Sequence, residues 1–367
     1  MYSYFHNCFA NIREPTLLFE RGRVRSNSKF IYDCAKGIFC KVLPFFAVKV
    51  APIEEVVSVV CEDKSWGCEV YNDNDLELAV KGGCNNIIVD GYFKPHDFLE
   101  RCINNRVFAI NIESVNEAIA INTICRDIGV RCRVGLRCKT SDASKMGFSI
   151  HEILEAITIL KAMKNIDICG VHTHPGSNSQ GTQDAYDAYR YLSNAARVLR
   201  DAGFHLEYID IGGGIGEIAL LGGRLRDCFA EVGNIFSDFK DCVYCIESGR
   251  GVVGDAGALV CQVVSIDRLD RLVNVNIAVS PYFATTGATF RYAFPGHGNG
   301  STLSELLDYS IGGIWPTSRD VISCDALYNK IPADVEVGDN FVLFNAGAYT
   351  ADRLQEYSFS RIPIMMI

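Results

Sequence analysis

Short apolar segments alternate with longer helical stretches along most of the chain after residue 40. The apolar segments have the length of strands, whereas 150–165 and 184–203 repeat apolar residues every three or four positions. The second stretch ends at Gly203, a residue typical of helix C-termini. The predicted strands are FFAVKV (45–50), GCEVYN (67–72), NNIIVDG (85–91), VFAINIE (107–113), RCRVGLR (131–137), DICGVHTH (167–174), YIDIGGG (208–214) and CVYCIES (242–248).

Strands that alternate with helices indicate βαβ units and a parallel sheet. Eight such units predict a closed (β/α)8 barrel, in which each strand is followed by a helix. The alternative is an open, doubly wound sheet, which commonly has five or six strands and therefore fits this count less well.

The pattern changes after residue 250. The segments ALVCQVVSIDRL, RLVNVNIAVS and DNFVLFNAGAYT are β-rich and are separated by Gly, Asp and Asn turns, which predicts a second, mostly antiparallel β domain. TLLFERGRV (16–24) is strand-like and precedes the first barrel strand, so we expect it to join that second domain. The predicted domains are therefore 26–252 for the barrel, and 1–25 together with 253–367 for the β domain.

Composition narrows the function. A hydrophobic content of 49% and a charged content of 22% are typical of a globular protein, and the net charge of −9 argues against a nucleic-acid partner. We expect no membrane span, because no apolar run reaches 18 residues, and no signal peptide at the N-terminus. The sixteen cysteines follow no framework spacing and predict reduced thiols in a cytoplasm. Cys242 and Cys245 would point to opposite faces of one strand, which makes a shared metal or redox role unlikely.

Polar residues gather where the predicted barrel strands end, which is where barrels of this kind carry their chemistry. A lysine in an apolar run either extends its ammonium into solvent, or is buried with a charged partner or a catalytic role. Three consecutive glycines are either a tight turn or a loop whose N–H groups approach an anion. The residues at these ends are Lys49, Glu69, Arg137, His172, His174, Gly212, Gly213, Gly214, Glu247, Gly249 and Arg250.

An amine, a glycine-rich phosphate loop and a carboxylate in one barrel mouth are what pyridoxal 5′-phosphate requires. The sequence resembles the fold-type III pyridoxal-phosphate decarboxylases, the family of ornithine, arginine and diaminopimelate decarboxylases, over nearly its whole length. The motifs that carry the resemblance are FFAVKV, SKMGF (144–148), HTHPGS (172–177), DIGGG (210–214), ESGRG (247–251), SCDALY (323–328) and GAYT (347–350).

The resemblance implies a role for each motif residue. Lys49 would form the Schiff base, and its burial would ease deprotonation. His174 would stack on the pyridine ring and Glu247 would pair with the ring nitrogen, keeping it protonated as an electron sink; the alternative for Glu247 is a surface ion pair. Cys324 would act near the substrate α-carbon, reaching the barrel of the other subunit in a homodimer with shared active sites. The remaining cofactor contacts would be Ser177, Gly212, Gly213, Gly214, Gly249, Arg250, Tyr349 and Arg137, with Glu69 beside the lysine.

The specificity signals conflict. Glu69 occupies a position where the family commonly has a shorter aspartate. Asp325, after the cysteine, is typical of ornithine-type enzymes, whereas Arg291 resembles the diaminopimelate pattern, in which an arginine holds a distal carboxylate. We therefore expect an L-amino acid or an amino-acid-bearing biosynthetic intermediate as the substrate.

The expected activity is α-decarboxylation, which gives the amine and CO2. One alternative is an amino-acid racemase of the same barrel class, which would place a tyrosine and an arginine where this chain has Cys324 and Glu247. The other is a non-catalytic pyridoxal-phosphate-binding relative, although such proteins lose the lysine, the phosphate residues or the second domain. No metal is expected.

Overall fold

The structure is a computed structural model, and it describes residues 8–9, 11–141, 144–216, 224–268, 272–284, 291–295, 297, 308–322, 331–357 and 361–367. It divides into two compact units, one of residues 25–251 and the other of residues 1–24 with 252–367. Strand β1 (Thr16–Phe19) and helix α1 (Arg21–Lys36) precede the first barrel strand.

The unit of residues 25–251 contains a closed barrel of eight parallel strands, which confirms the predicted barrel over the open sheet. The last strand pairs with the first, with Phe45 opposite Glu247. The strands are β2 (Val42–Ala47), β3 (Gly67–Val70), β4 (Ile87–Val89), β5 (Ala109–Ile112), β6 (Cys132–Arg137), β7 (Ile166–His172), β8 (Tyr208–Asp210) and β9 (Val243–Ser248).

Helices follow the barrel strands, and several carry side-chain caps. Asn72, Ser114 and Thr182 each accept a hydrogen bond from the third backbone N–H that follows, and Ser149 forms a capping box with Glu152. The helices are α2 (Glu54–Cys61), α3 (Asp73–Lys81), α4 (His96–Asn104), α5 (Val115–Ile128), α6 (Ile150–Ala162), α7 (Gln183–Asp201) and α8 (Arg224–Ile235), with a 3-10 turn at Ser237–Phe239.

Aromatic side chains fill the barrel interior. Tyr208 is fully buried, and its hydroxyl donates a hydrogen bond of 2.8 Å to Asn111. A Cβ atom at Gly170 would lie 2.1 Å from this ring, and one at Gly135 would lie 2.2 Å from its hydroxyl. Glycine is therefore required where these two strands face Tyr208, and the barrel is a packed core closed below the mouth.

The other unit contains a mostly antiparallel sheet, as the sequence predicts. Strand β1 pairs antiparallel with β10 (Gly257–Arg268), so the strand-like segment near the N-terminus does join this unit. The remaining strands are β11 (Leu272–Ile277), β12 (Arg291–Ala293), β13 (Asp308–Gly312), β14 (Val321–Ile322), β15 (Asn340–Phe344) and β16 (Ile364–Met366), with short helices α9 (Arg250–Val253), α10 (Pro281–Ala284) and α11 (Ala351–Tyr357) and a 3-10 turn at Gly254–Ala256.

Two local expectations differ from the structure. The predicted first strand, 45–50, is displaced: β2 ends at Ala47, and Lys49 lies in a 3-10 turn, Val48–Val50, closed by the N–H of Ala51 on the carbonyl of Val48. TLLFERGRV is a strand only to Phe19, because α1 begins at Arg21. In the described part of the chain, no helix has the length and apolar character needed to cross a membrane.

Candidate active site

An ion pair between Lys49 and Glu69 lies at the barrel mouth. The turn after β2 carries Lys49, and β3 carries Glu69, whose side chain is fully buried. The ammonium donates a hydrogen bond to Glu69 Oε2, and 35% of the lysine side chain remains exposed. The amine is therefore held in place by a buried carboxylate while it stays accessible from the mouth.

The charge state of Lys49 differs from the expectation. Burial alone would lower its pKa, but the carboxylates of Glu69 and Glu247 outweigh burial and raise the pKa above its usual value. The expectation that burial eases deprotonation is therefore wrong for the protein without a bound cofactor, because a lysine paired with a buried carboxylate holds its proton more firmly.

Four more polar side chains form a buried cluster beside this pair. His172 Nδ1 lies 3.3 Å from Asp90 Oδ1, and His172 Nε2 lies 3.6 Å from Glu247 Oε2. Asp210 accepts hydrogen bonds from the N–H of Gly212, at 2.9 Å, and from the Asn111 amide, at 3.1 Å. The ligand atoms of Asp90, His172, Asp210 and Glu247 all lie within 4.8 Å of one another.

Burial governs the protonation of this cluster. It raises the pKa of Glu247 and of Asp90, and together with the Asp90 charge it raises the pKa of Asp210 to about 7. It lowers the pKa of His172 to about 4, although Asp90 opposes that shift. The imidazole is therefore neutral near pH 7, and burial favours the protonated forms of the three carboxyl groups.

His174 adds a neutral ring at the mouth. The N–H of Gly213 donates to His174 Nδ1 at 3.2 Å, which leaves Nε2 to carry the ring proton. Burial, with help from the nearby Lys49 charge, lowers the pKa of His174 to about 3. The ring can therefore pack against another aromatic ring without charge repulsion.

The three glycines after β8 are required by the close approach of two loops. Gly212 and Gly214 have φ of +65° and +91°. A Cβ atom at Gly212 would lie 2.3 Å from the carbonyl of Thr173, and one at Gly214 would lie 2.7 Å from that of Gly176. Ser177 is exposed on the facing loop. The backbones of the two loops therefore lie in close contact, and a side chain fits at neither Gly212 nor Gly214.

The loop after β9 approaches the lysine turn equally closely. A Cβ atom at Gly249 would lie 2.2 Å from Val50 Cγ2. Arg250 follows and is buried, with 6% of its surface exposed. The loop after β9 therefore carries a buried positive charge two residues after the strand ends.

A cavity of about 290 Å³ joins the lysine to the carboxyl cluster. Arg137 lines it and is held by Glu113, with Nη1 3.1 Å from Oε1. The lining residues are Lys49, Glu69, Tyr71, Asp90, Gly91, Tyr92, Arg137, Met146, His172, His174 and Glu247. Six residues at the predicted strand ends therefore meet in one cavity.

The other predicted site residues belong to the second unit. Tyr349 is half-buried, with φ of +63°, and Arg291 begins β12. Cys324 and Asp325 lie outside the residues that the structure describes, so their predicted roles stay predictions.

Sequence reasoning missed three acidic residues of the mouth, namely Asp90, Glu113 and Asp210. Asp90 follows β4, Glu113 follows β5 and Asp210 ends β8. Each is therefore a polar side chain at the carboxyl end of a barrel strand, which is the pattern that predicts the other site residues.

The barrel unit matches the model of a known protein family. Residues 29–254 match the family model described as pyridoxal-dependent decarboxylase, pyridoxal binding domain. The diaminopimelate decarboxylase of Helicobacter pylori is 23% identical over 383 residues, which cover 96% of this chain and 90% of the relative. That of Pseudomonas fluorescens is 26% identical over 275 residues, covering 68% and 63%.

Solved structures show the same fold over both units. The diaminopimelate decarboxylase of Helicobacter pylori, complexed with L-lysine, aligns with a TM-score of 0.85 at 21% identity, covering 97% of this chain and 92% of the other. The arginine decarboxylase of Paramecium bursaria Chlorella virus aligns with a TM-score of 0.82 at 20% identity, covering 97% and 96%.

The Glu69 carboxylate should control the protonation of Lys49. Replacing Glu69→Gln removes the charge in contact with the ammonium, so the pKa of Lys49 should fall by about one unit or more. The measurement is the pH dependence of Lys49 acetylation in cofactor-free protein, followed by mass spectrometry. Glu117→Gln is the matched control, because Glu117 forms a similarly buried ion pair with Lys94. An unchanged pKa of Lys49 in Glu69→Gln would contradict this account.

Proposed function

The chain belongs to the pyridoxal-dependent decarboxylases, and we propose that Lys49, the glycine loops and Glu247 hold the cofactor of this family member in the barrel mouth. The chain is a pyridoxal-phosphate-dependent enzyme that removes the α-carboxylate of an amino acid as CO2. The observation that carries the residue assignment is the position of the Lys49 amine in one cavity with a buried carboxyl cluster.

The residues fit each part of the cofactor. Lys49 offers an accessible amine for the aldehyde. The backbone around Gly212 and Gly214 has no room for side chains and is proposed to approach the phosphate, with Ser177, Gly213, Gly249, Arg250 and Tyr349 proposed as further contacts. Glu247 Oε1 is buried without a hydrogen-bond partner among the described residues, as an oxygen that awaits a ring N–H would be.

Pyridoxal phosphate supplies an electron sink for the electron pair that CO2 leaves on the α-carbon. Glu247 is proposed to accept a hydrogen bond from the ring nitrogen and so to favour its protonated form, a charge-assisted bond typically worth about 1.5–3 kcal/mol. The neutral His174 ring would pack on the cofactor face. Arg137, fixed by Glu113, would keep positive charge at the mouth.

Two side chains, Glu69 and Cys324, are proposed to control the protons of the reaction. Glu69 accepts a hydrogen bond from the Lys49 ammonium and so favours the protonated lysine until the neutral amine is required to bond to the cofactor. Asp90 and His172 lie beside Glu247, with His172 Nε2 3.6 Å from Glu247 Oε2, and are proposed to orient its carboxyl group. Cys324 is proposed as the acid that gives a proton to the α-carbon after CO2 leaves, since a thiol near its reference pKa of roughly 8.5 is protonated at neutral pH.

The oligomeric state and the cellular location of the protein are also proposed. Lys49 lies in the proposed cofactor domain, 26–252, and Cys324 in the proposed second domain, 1–25 with 253–367. In the family that the chain resembles, this cysteine completes the site of the other subunit, so we propose a homodimer with shared sites. The fifteen described cysteines are all free thiols, which supports a cytoplasmic location. Cell fractionation should recover the protein there.

The substrate is proposed to be an L-amino acid with a polar far end. Relatives act on diaminopimelate by name, and solved neighbours include arginine and lysine decarboxylases. Arg291 would hold a distal carboxylate, whereas Asp325 would favour a distal amine. Both interactions together suit a far end that carries both charges.

Lys49 should carry the cofactor covalently. Borohydride treatment of the holoenzyme, followed by peptide mapping, should place the reduced cofactor on the peptide that contains Lys49. Lys49→Ala should lose the label and the visible absorbance, whereas Lys145→Ala should keep both, because Lys145 lies near the mouth, 5.4 Å from the Tyr92 ring, outside the carboxyl cluster. A label on any other peptide would refute the assignment.

Mixing two inactive variants should restore activity if sites are shared. Lys49→Ala and Cys324→Ala proteins, allowed to exchange subunits, should recover about a quarter of wild-type activity, because half of the dimers would be mixed and each would have one intact site. Native mass spectrometry should verify the mixed dimers. Their formation without any activity would reject the shared site.

Arg291 should read the far end of the substrate. Arg291→Ala should raise KM by about tenfold or more for diaminopimelate, through loss of a charge-assisted bond, and much less for ornithine, which lacks a distal carboxylate. Arg319→Ala is the control, since Arg319 is an exposed arginine of the same unit. Equal changes in KM for both substrates would show that Arg291 supports its loop instead.

A further inference from the structure

Three cysteine side chains from separate segments meet between helix α2 and strand β3. Cys61 is the last residue of α2, Cys68 lies in β3, and Cys84 lies in the connection from α3 to β4. Cys61 and Cys68 are buried, whereas Cys84 is partly exposed. The three segments are consecutive in the barrel, so the thiols join its first helices and strands.

The separation of the sulfur atoms suits a bound metal ion. Cys61 Sγ and Cys68 Sγ lie 3.7 Å apart, and all three sulfur atoms lie within 4.8 Å of one another. A zinc ion with Zn–S bonds of about 2.3 Å holds tetrahedral sulfur ligands roughly 3.8 Å apart. The measured separation therefore needs only small side-chain movements to enclose an ion.

The charge balance of the cysteine cluster and its access to solvent also fit a divalent cation. Cys84 is partly exposed, so an ion can reach the cluster from solvent. Lys64 lies beside the cluster, because its ammonium donates a hydrogen bond of 3.3 Å to the carbonyl of Gly83, the residue before Cys84. Three thiolates, one divalent ion and one lysine sum to zero charge.

Packing alone is the alternative explanation, because buried thiols behave as small apolar residues. Cys125 and Cys132 show such a contact of two thiols in this chain. The cluster at Cys61 differs, since three sulfur atoms converge and one of them is reachable from solvent. Packing explains the burial of Cys61 and Cys68, whereas the convergence of three sulfur atoms from separate segments also suits a metal ion.

We propose that Cys61, Cys68 and Cys84 bind a zinc ion as thiolates, with water in the fourth position. Each thiol releases its proton on binding, and the soft sulfur donors select zinc over magnesium or calcium. The ion would link α2, β3 and the connection to β4. Cys68 directly precedes Glu69, so the site would brace the strand that orients Lys49.

Cadmium provides the direct probe, because cadmium bound to thiolates absorbs in the ultraviolet. Reduced, chelator-treated holoenzyme should bind one cadmium ion per chain with this absorption. Zinc should displace it, and zinc-edge X-ray absorption should show three sulfur neighbours at about 2.3 Å. Wild-type protein alone suffices for these measurements, so they do not depend on a variant that folds.

Matched variants identify the ligands. Cys84→Ser and Cys61→Ser should each lower zinc affinity by at least tenfold and lose the cadmium absorption. Cys40→Ser, an exposed thiol, and Cys102→Ser, a buried one, should retain both. No absorption in wild-type protein, absorption that persists in Cys84→Ser and Cys61→Ser, or a disulfide joining Cys61 and Cys68 under reducing conditions would overturn the proposal.

Discussion

The burial of acidic groups at the barrel mouth is the constraint on which this site depends. Glu69, Asp90, Asp210 and Glu247 are all buried there, and a buried carboxylate is costly unless a cation or a shared proton compensates it. Lys49 compensates Glu69 directly, whereas burial raises the pKa values of the other three carboxyl groups and so favours their protonated forms. A cavity so constructed favours a ligand that brings positive charge to Glu247.

The barrel makes this arrangement possible because all its strands deliver their carboxyl ends to one mouth. Tyr208 and the other aromatic residues fill the interior below, so the polar groups lie above a closed apolar floor. Next to the acidic cluster, where the N–H of Gly212 donates to Asp210, the loops around Gly176 and Gly214 approach so closely that only glycine fits at 214. The cavity at this mouth joins the Lys49 amine to the Glu247 carboxyl group, the two groups proposed to hold the aldehyde and the ring nitrogen of the cofactor.

Much of this organisation could be predicted from the sequence, because strand alternation and strand-end polarity are local signals. Lys49, Arg137, His174 and Glu247 were identified in that way, and the structure brings them into one cavity. The raised pKa of Lys49 could not be foreseen, since it depends on the direction of the Glu69 side chain, which sequence spacing does not give. The cluster of Cys61, Cys68 and Cys84 was also missed, because its contacts cross an intervening strand and helix.

The most direct test of the account is a single incubation that follows carbon loss and stereochemistry together. The holoenzyme would be given L-lysine, L-arginine, L-ornithine or diaminopimelate, each labelled at the α-carboxylate, in deuterated water. We expect labelled CO2 and the corresponding amine from at least one substrate, with a single deuterium at the former α-carbon and no D-amino acid. Racemised substrate with retained carboxylate, or no turnover of any labelled amino acid by cofactor-loaded protein, would contradict it.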